Sequence, residues 1–227
     1  PASAATLTVT TPSTATAGVA VNATVTAYDN FSNIATGYAG TVTYSGSDAQ
    51  ATYPANGTLT NGTGTVSVTF KTAGVQTLAA RDTVTASLAG TSNTTAVSYA
   101  AVQSFNVQVP AGTRAGVAIT ATVTALDAFN NIVKNYGGTI RLTGTDGQGV
   151  YNSGTLTNGV GQFSITLKTA GAQTISASDS GPAAARVDGS FRDAVSGGPS
   201  GVNVTNGPAT RIRSEEHTSE LQSRGLI

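Results

Sequence analysis

The chain has 227 residues, of which 39% are hydrophobic and only 10% charged, and it contains 27 Gly but no Cys, Met or Trp. Lys and Arg number 11 and Asp and Glu also 11, so the formal net charge is zero. The basic residues are scattered, which argues against the clustered positive surface of nucleic-acid-binding proteins. The length suits two domains of roughly 100 residues each, and the richness in Thr, Val and Gly favours strands and turns.

The chain begins without Met, and it shows no signal peptide and no apolar run of about 18 residues. We therefore expect an internal piece of a longer protein, with no membrane insertion in this segment. An opening strand is predicted at residues 7–9, followed by strands whose apolar residues alternate with polar ones. In the first half these alternating positions are Val19, Val21, Ala23, Val25, Val42, Tyr44, Val66, Val68, Phe70, Leu78 and Ala80. A closing strand is predicted near residues 96–99.

The same pattern returns later in the chain as an internal repeat. The segment AGVAVNATVTAYDNFSNIATGYAGTV from Ala17 reappears as AGVAITATVTALDAFNNIVKNYGGTI from Ala115, and a block from Gly57 returns from Gly154. The turn signals recur as well, with Asn-Gly at residues 61–62 and 158–159 and Thr-Ala-Gly at 72–74 and 169–171. The repeat predicts two all-β units of about seven strands each, built as antiparallel β-sandwiches.

The predicted domains are a first repeat at residues 1–100 and a second at 101–206. The second repeat contains a longer Gly-, Ala- and Pro-rich stretch, 180–199, which predicts an extended loop. Residues 207–212 are predicted to begin a third repeat. The segment RSEEHTSELQS at 213–223 contains every Glu and the only His of the chain and resembles a translated sequencing adapter. Residues 213–227 are therefore predicted to be a non-native tail.

The recurring segments AYDNFSN, VTFKTAGVQT and LAGTSN resemble the tandem bacterial immunoglobulin-like repeats, of the invasin–intimin kind, found in large surface adhesins. The resemblance covers nearly all of residues 5–212. It implies two immunoglobulin-like sandwiches in series, an extracellular or cell-surface location, and a role as a spacer or adhesion module.

Four residues after the second strand, Asp29, Phe31, Asn33 and Tyr38, recur as Asp127, Phe129, Asn131 and Tyr136. A structural role is predicted for them, because carboxylates and Asn cap loop amides and aromatic rings close a sandwich end. No metal or cofactor is predicted. The alternative left open is a Ca²⁺ ion shared by Asp127 and Asp179, which end strands at the pole facing the first repeat; two carboxylates are few for an ion that takes six to eight oxygen ligands.

The part of the chain before residue 213 contains no His, Cys or Glu. Thiol and imidazole nucleophiles and the usual zinc ligands are therefore missing, and the hydroxyl groups have no evident base to activate them. The sequence predicts no enzyme and no catalytic residue.

The leading functional hypothesis is a structural spacer and adhesion module of a bacterial cell-surface or secreted multi-repeat protein. Its expected partners are neighbouring repeats of the same chain and a host or surface protein or glycan. The alternative is an accessory module, binding glycans or acting as a linker, of a secreted carbohydrate-active enzyme or a phage structural protein. Glycan stacking favours exposed aromatic platforms, and the chain has no Trp, 7 Tyr and 6 Phe.

Overall fold

A computed structural model describes residues 2–179, 197–198 and 200–207. All regular secondary structure in these ranges is β-strand, and none of it is a helix of the length and apolarity that a membrane crossing needs. Three predictions fall outside the described residues: most of the extended loop at 180–199, the third repeat after residue 207, and the tail at 213–227.

The first repeat contains ten strands, several of them short. They are β1 (Thr6–Thr10), β2 (Thr14–Thr16), β3 (Ala20–Tyr28), β4 (Thr41–Gly46), β5 (Gly57–Thr58), β6 (Thr63–Thr69), β7 (Gly74–Gln76), β8 (Leu78–Asp82), β9 (Ala89–Thr91) and β10 (Thr95–Ser98).

The second repeat follows the same plan, with nine strands among its described residues. They are β11 (Ser104–Gln108), β12 (Gly112–Arg114), β13 (Ala118–Leu126), β14 (Thr139–Gly144), β15 (Val150–Tyr151), β16 (Gly154–Thr155), β17 (Val160–Thr166), β18 (Gly171–Asp179) and β19 (Ser200–Thr205).

Each repeat is an immunoglobulin-like sandwich, so the predicted all-β class is confirmed. In the second repeat, one sheet has the order β11-β13-β17-β15 and the other β12-β19-β18-β14-β16. In the first repeat, β1-β3-β6 forms one sheet, and the other side is divided into β2-β10-β7 and β5-β4-β8-β9. The strands outnumber the seven or so predicted because short edge strands form and because one long strand of the second repeat, β18, corresponds to β7 and β8 of the first.

Most strand pairs are antiparallel, but β2 pairs with β10, and β12 with β19, in parallel. The parallel pairs arise because the opening strand of each repeat changes sheets partway along. Pro12 lies between β1 and β2, and Pro110 between β11 and β12. Proline has no N–H to donate to a ladder, so it suits the point at which a strand leaves one partner for another.

The core of each repeat follows the predicted alternation along its long strands. In β13, for example, Ala121, Val123 and Ala125 are fully buried while the residues between them are partly exposed. The buried apolar residues form two separate clusters, one in each repeat. Burying each large aliphatic side chain contributes roughly 1.5–3 kcal/mol, which is the main stabilising term for a domain without disulfides.

Two of the predicted core positions are wrong. Val19 and Val117 are 55% and 49% exposed. Each follows a glycine with positive φ, Gly18 at 80° and Gly116 at 83°. They therefore belong to a turn that precedes β3 and β13, and the buried alternation begins only inside those strands.

The predicted Asn-Gly turns are confirmed by the backbone. Asn61 and Gly62 have φ of 52° and 78°, and Asn158 and Gly159 have φ of 51° and 77°. Two consecutive residues with positive φ are the requirement of the type I′ turn, whose twist matches that of paired strands. The turns join Thr60 to Thr63 and Thr157 to Val160.

Candidate functional site

The two ends of each sandwich carry different loops, which we name the upper and lower poles. The upper pole follows the long second strand and comprises residues 29–33 in the first repeat and 127–131 in the second. The lower pole comprises the turn after β6 or β17 (residues 71–74 or 168–171) and residues 17–18 or 115–116, since the N–H of Gly18 bonds to Phe70 and that of Gly116 to Leu167.

An aspartate organises each upper pole. Oδ1 of Asp127 accepts the backbone N–H groups of Phe129 at 2.8 Å and Asn131 at 2.9 Å. Oδ1 of Asp29 accepts those of Phe31 and Asn33, both at 2.9 Å. These are the amide-capping roles that the residue types predict.

The same carboxylates also hold the chain as it enters each repeat. Oδ2 of Asp127 accepts the N–H of Ala100 at 2.9 Å, and Oδ2 of Asp29 accepts that of Ala2 at 3.4 Å. The backbone N–H of Asn33 is the main cause that lowers the pKa of Asp29 below its ordinary value. Asp29 therefore stays ionised at neutral pH and fixes the incoming segment.

Asn131 connects the upper pole of the second repeat to the lower pole of the first. Its Oδ1 accepts the N–H of Ala73 at 2.8 Å, and its Nδ2 donates to the carbonyl oxygen of Lys71 at 2.8 Å. Nδ2 also donates to Oδ2 of Asp127 at 2.8 Å. One side-chain amide thus pairs with an N–H and a C=O of the same turn, as a strand neighbour would.

Phe129 crosses the same junction. It is partly buried and packs against the hydrophobic cluster of the first repeat. Its ring lies over Gly18, where an added Cβ would come within 2.5 Å of the Cε2 and Cζ atoms. Tyr99, at the end of the first repeat, packs in return against the cluster of the second. Together with Asn131, these contacts join the two repeats directly, beyond the connecting chain.

The junction leaves a groove of about 520 Å³ beside Asn131, bordered by Tyr99 and Lys134. The groove lining contains one aromatic ring, one cationic side chain and no carboxylate. It offers no pair of aromatic faces for a sugar ring and no acid or base for catalysis.

Asp127 and Asp179, the alternative calcium ligands, both contact protein groups. Asp127 receives four N–H donors, from Ala100, Phe129 and Asn131. Asp179 ends β18 beside Gly138, where an added Cβ would lie 3.1 Å from its Oδ2 and 2.2 Å from the hydroxyl oxygen of Tyr136. Within residues 2–179, 197–198 and 200–207, three or more His, Cys, Asp or Glu residues nowhere cluster as they would around a metal ion.

The first repeat shows what this position does when its contacts are complete. The hydroxyl of Tyr38 donates to Asp82, whose Oδ1 also accepts the N–H groups of Val84 at 2.8 Å and Thr85 at 2.6 Å. The Tyr38 hydroxyl is the main cause that lowers the pKa of Asp82, while burial is the main cause that raises the pKa of Tyr38. Asp82 is therefore a turn-capping carboxylate, and Asp179 is its counterpart.

Sharing of Ca²⁺ by Asp127 and Asp179 remains a prediction, and chelation tests it. Because Asp127 already accepts four hydrogen bonds, we expect the melting temperature of the chain to be the same in excess EDTA and in millimolar CaCl₂. Differential scanning calorimetry measures this directly. A melting temperature that rises with Ca²⁺ and falls back in the Asp179→Asn variant would establish the calcium site.

Two buried carboxylates at the lower poles were missed from the sequence. Oδ2 of Asp146 accepts the N–H groups of Lys168 at 2.6 Å and Thr169 at 2.9 Å, and its Oδ1 accepts the N–H of Gln148 at 3.0 Å and the Thr169 hydroxyl at 2.8 Å. Asp48 makes the same four bonds to Lys71, Thr72 and Gln50. The available signal was the pair of matching segments SGSDAQ and TGTDGQ, which lie between the two repeated blocks used above.

These carboxylates hold the turns that form the lower poles. Burial raises the pKa of Asp146, but the hydrogen bonds from Thr169, Lys168 and Gln148 outweigh it and lower the pKa to about 2. The pKa of Asp48 is lowered by the corresponding groups. Asp48 therefore fixes the turn whose Lys71 carbonyl and Ala73 N–H bind Asn131.

Gly18 and Gly116 provide a matched test of the Phe129 contact. Both have φ near +80°, so substitution by Ala costs similar backbone strain at each. An added Cβ meets the Phe129 ring at Gly18 but nothing within 4 Å at Gly116. We expect Gly18→Ala to shift the amide resonances of residues 127–131 in an NMR spectrum, whereas Gly116→Ala leaves them in place. Equal spectra for the two variants would contradict the packing described here.

Comparisons with known proteins identify the fold. No protein-family model matches the chain, and no curated protein matches it in sequence. Among solved structures, the Escherichia coli adhesin FdeC is similar at 16% identity and a TM-score of 0.42, over 89% of this chain and 65% of that one. The Yersinia pseudotuberculosis adhesin InvE is similar at 17% identity and a TM-score of 0.39, over 87% of this chain and 58% of that one.

An α-2-macroglobulin from E. coli is also similar, at 15% identity and a TM-score of 0.44, over 87% of this chain and 17% of that one. The chain thus spans just under two thirds of FdeC and a smaller share of the other two. Since both adhesins and an α-2-macroglobulin contain this arrangement of sandwiches, the likeness concerns the fold and does not separate their functions.

Proposed function

We propose that the chain is a spacer module of a bacterial cell-surface or secreted multi-repeat protein, in which consecutive immunoglobulin-like repeats are coupled pole to pole. The observation that carries the proposal is the junction, where Asn131 and Phe129 of one repeat contact the lower pole of the other. Side-chain contacts across a linker restrict the relative motion of two domains, and a spacer needs that restriction to hold its ends apart.

The composition agrees with this proposal. The part of the chain before residue 213 lacks His, Cys and Glu, and the acidic side chains described above cap turns in the scaffold. A spacer requires no ligand site of its own. The partner proposed for this module is the neighbouring repeat, and contact with a host or surface molecule is proposed as a property of the parent protein.

NMR residual dipolar couplings of the full chain test whether the two repeats move as one body. We expect a single alignment tensor to fit the amide couplings of both repeats. The double variant Phe129→Ala/Asn131→Ala should require two different tensors. The matched double variant Phe31→Ala/Asn33→Ala, at the other upper pole, should retain the single tensor.

A wild-type chain whose repeats need two tensors would contradict a coupled spacer. The matched variant guards against a trivial explanation, because it removes the same side chains from an equivalent loop. Circular dichroism of both variants shows whether the sandwiches stay folded.

A further inference from the structure

The upper pole of the first repeat has the same construction as the one at the junction but is uncovered. Ser32 and Asn130 have φ of 61° and 66°, and the Asp29 and Asp127 caps agree to within about 0.1 Å. Yet Phe31 is 79% exposed, and Asn33 is exposed as well, while their counterparts at the junction are partly buried. A large aromatic ring held outward on a capped loop is a preformed contact with no described residue against it.

The lower pole of the second repeat is the complementary uncovered surface. Residues 168–170 are exposed, whereas residues 71–73, which Asn131 contacts, are partly buried. Gly74 and Gly171 have φ of 127° and 118°, and Asp48 and Asp146 clamp the two turns with the same hydrogen bonds. Gly116 has open space where Gly18 has the Phe129 ring. Both the turn and the glycine platform are therefore in place on the second repeat.

We infer that the upper pole of the first repeat docks on the lower pole of the second repeat of another copy of this chain, reproducing the junction between molecules. Phe31 then lies over Gly116, and the Asn33 amide pairs with the backbone of Lys168 and Ala170. The occupant follows from continuity with the junction within the chain, where residues of the same types already make this contact.

The geometry of such a contact is head to tail. The two surfaces differ and lie at opposite poles of their repeats, so the contact does not close into a symmetric dimer and copies add in a line. The affinity is expected to be weak, because within the chain the linker supplies an effective concentration on the order of millimolar that separate molecules lack. The inference shares the junction geometry with the proposed function but concerns a different surface.

Intermolecular paramagnetic relaxation measures a weak contact and its orientation. The chain has no cysteine, so Ala172→Cys, an exposed position beside the lower pole of the second repeat, carries a single nitroxide. We mix this spin-labelled chain with ¹⁵N-labelled wild-type chain at millimolar concentration. The expected result is selective broadening of the amides of residues 29–34, at least threefold above that of the other exposed loops.

Two further variants make the result decisive. Phe31→Ala in the ¹⁵N-labelled chain should abolish the selective broadening, since this ring is exposed and its loss leaves the fold intact. Gly116→Asn in the spin-labelled chain should do the same, because Asn tolerates positive φ and places a side chain where the ring would lie.

Broadening that is absent, that spreads evenly over the surface, or that survives Phe31→Ala would overturn the inference. The outcome is distinguishable from that of the alignment experiment. A single alignment tensor in dilute solution without intermolecular broadening leaves the spacer proposal standing and removes the head-to-tail contact.

Discussion

Replacing Asp146 by Ala is expected to lower the free energy of unfolding of the second repeat by about 3 kcal/mol. The substitution removes a buried carboxylate that accepts three backbone N–H groups and one hydroxyl. Hydrogen bonds to a charged acceptor are stronger than neutral ones, and the N–H groups of Lys168 and Thr169 lose theirs together. Urea unfolding, followed by NMR peaks from β17 and β18, measures the effect in the second repeat alone.

The control for this experiment is Gln148→Ala. Gln148 is exposed and contributes to the turn through its backbone N–H, which the substitution keeps. Its unfolding free energy should stay within about 0.5 kcal/mol of the wild-type value. If Asp146→Ala were as mild as this control, the carboxylate would not be a stabilising element.

The same carboxylate makes stability depend on acid pH. Because its pKa is about 2 in the folded chain against an ordinary value of 3.8, the folded state holds the charged form more tightly than the unfolded state. The stabilisation is therefore complete above the ordinary value and is lost as the pH falls from about 4 to about 2. In Asp146→Asn this part of the pH dependence should disappear from the second repeat, which urea titrations at pH 5, 4, 3 and 2.5 can follow.

Asp48→Asn should add an effect that Asp146→Asn lacks. Both change a clamp of the same geometry, but only the Asp48 turn carries the Lys71 carbonyl and the Ala73 N–H that bind Asn131. We expect loosened alignment between the repeats in Asp48→Asn only. Such a difference would connect the stability of a buried cap to the coupling of two domains.

A second large effect is expected from Gly90→Ala, which should destabilise the first repeat by about 2–3 kcal/mol. Gly90 lies in β9 opposite Ala80 of β8. A Cβ added there would come within 1.9 Å of the Leu7 carbonyl oxygen and 2.6 Å of its carbon, both backbone atoms of β1. Glycine at this position allows two backbones to approach across the sandwich.

The substitution forces β1 and β9 apart, which opens the core at Leu7 and Leu88, both now buried. Gly57→Ala is the matched control, since Gly57 also lies in a short strand and an added Cβ meets nothing within 4 Å. Thermal unfolding of both variants decides the matter. Equal melting temperatures would show that β9 relaxes without cost.

Much of the scaffold could be predicted because its signals are local. Alternating apolar residues place β3, β13 and the long strands that pair with them, and Asn-Gly requires φ values that only one kind of tight turn supplies. Comparing the two repeats strengthened these predictions, since each motif occurs twice in the same order. The parallel pairing of β2 with β10 could not be predicted this way, because it depends on a change of sheet within a short stretch.

The junction lay beyond the sequence for a different reason. Asn33 and Asn131 occupy equivalent places in the repeat, and their immediate neighbours are nearly the same. One caps its own loop, while the other also bridges two repeats, because only the second has a lower pole in front of it. Residue type and spacing are identical, so only three-dimensional placement separates the two roles. Asp48 and Asp146 were missed because their partners lie more than 20 positions away.

The parallel pairing of β2 with β10 determines how the first repeat would respond to tension. If a pull on the chain enters through β1 and β2 and leaves through β10, it slides β2 and β10 in opposite directions along their common axis. Their bridges, Thr14 with Ala96, Ala15 with Val97 and Thr16 with Ser98, then carry the load in shear and must break together. The pairing of β12 with β19 has the same arrangement. Each sandwich thus has a mechanical clasp between its first and last strands.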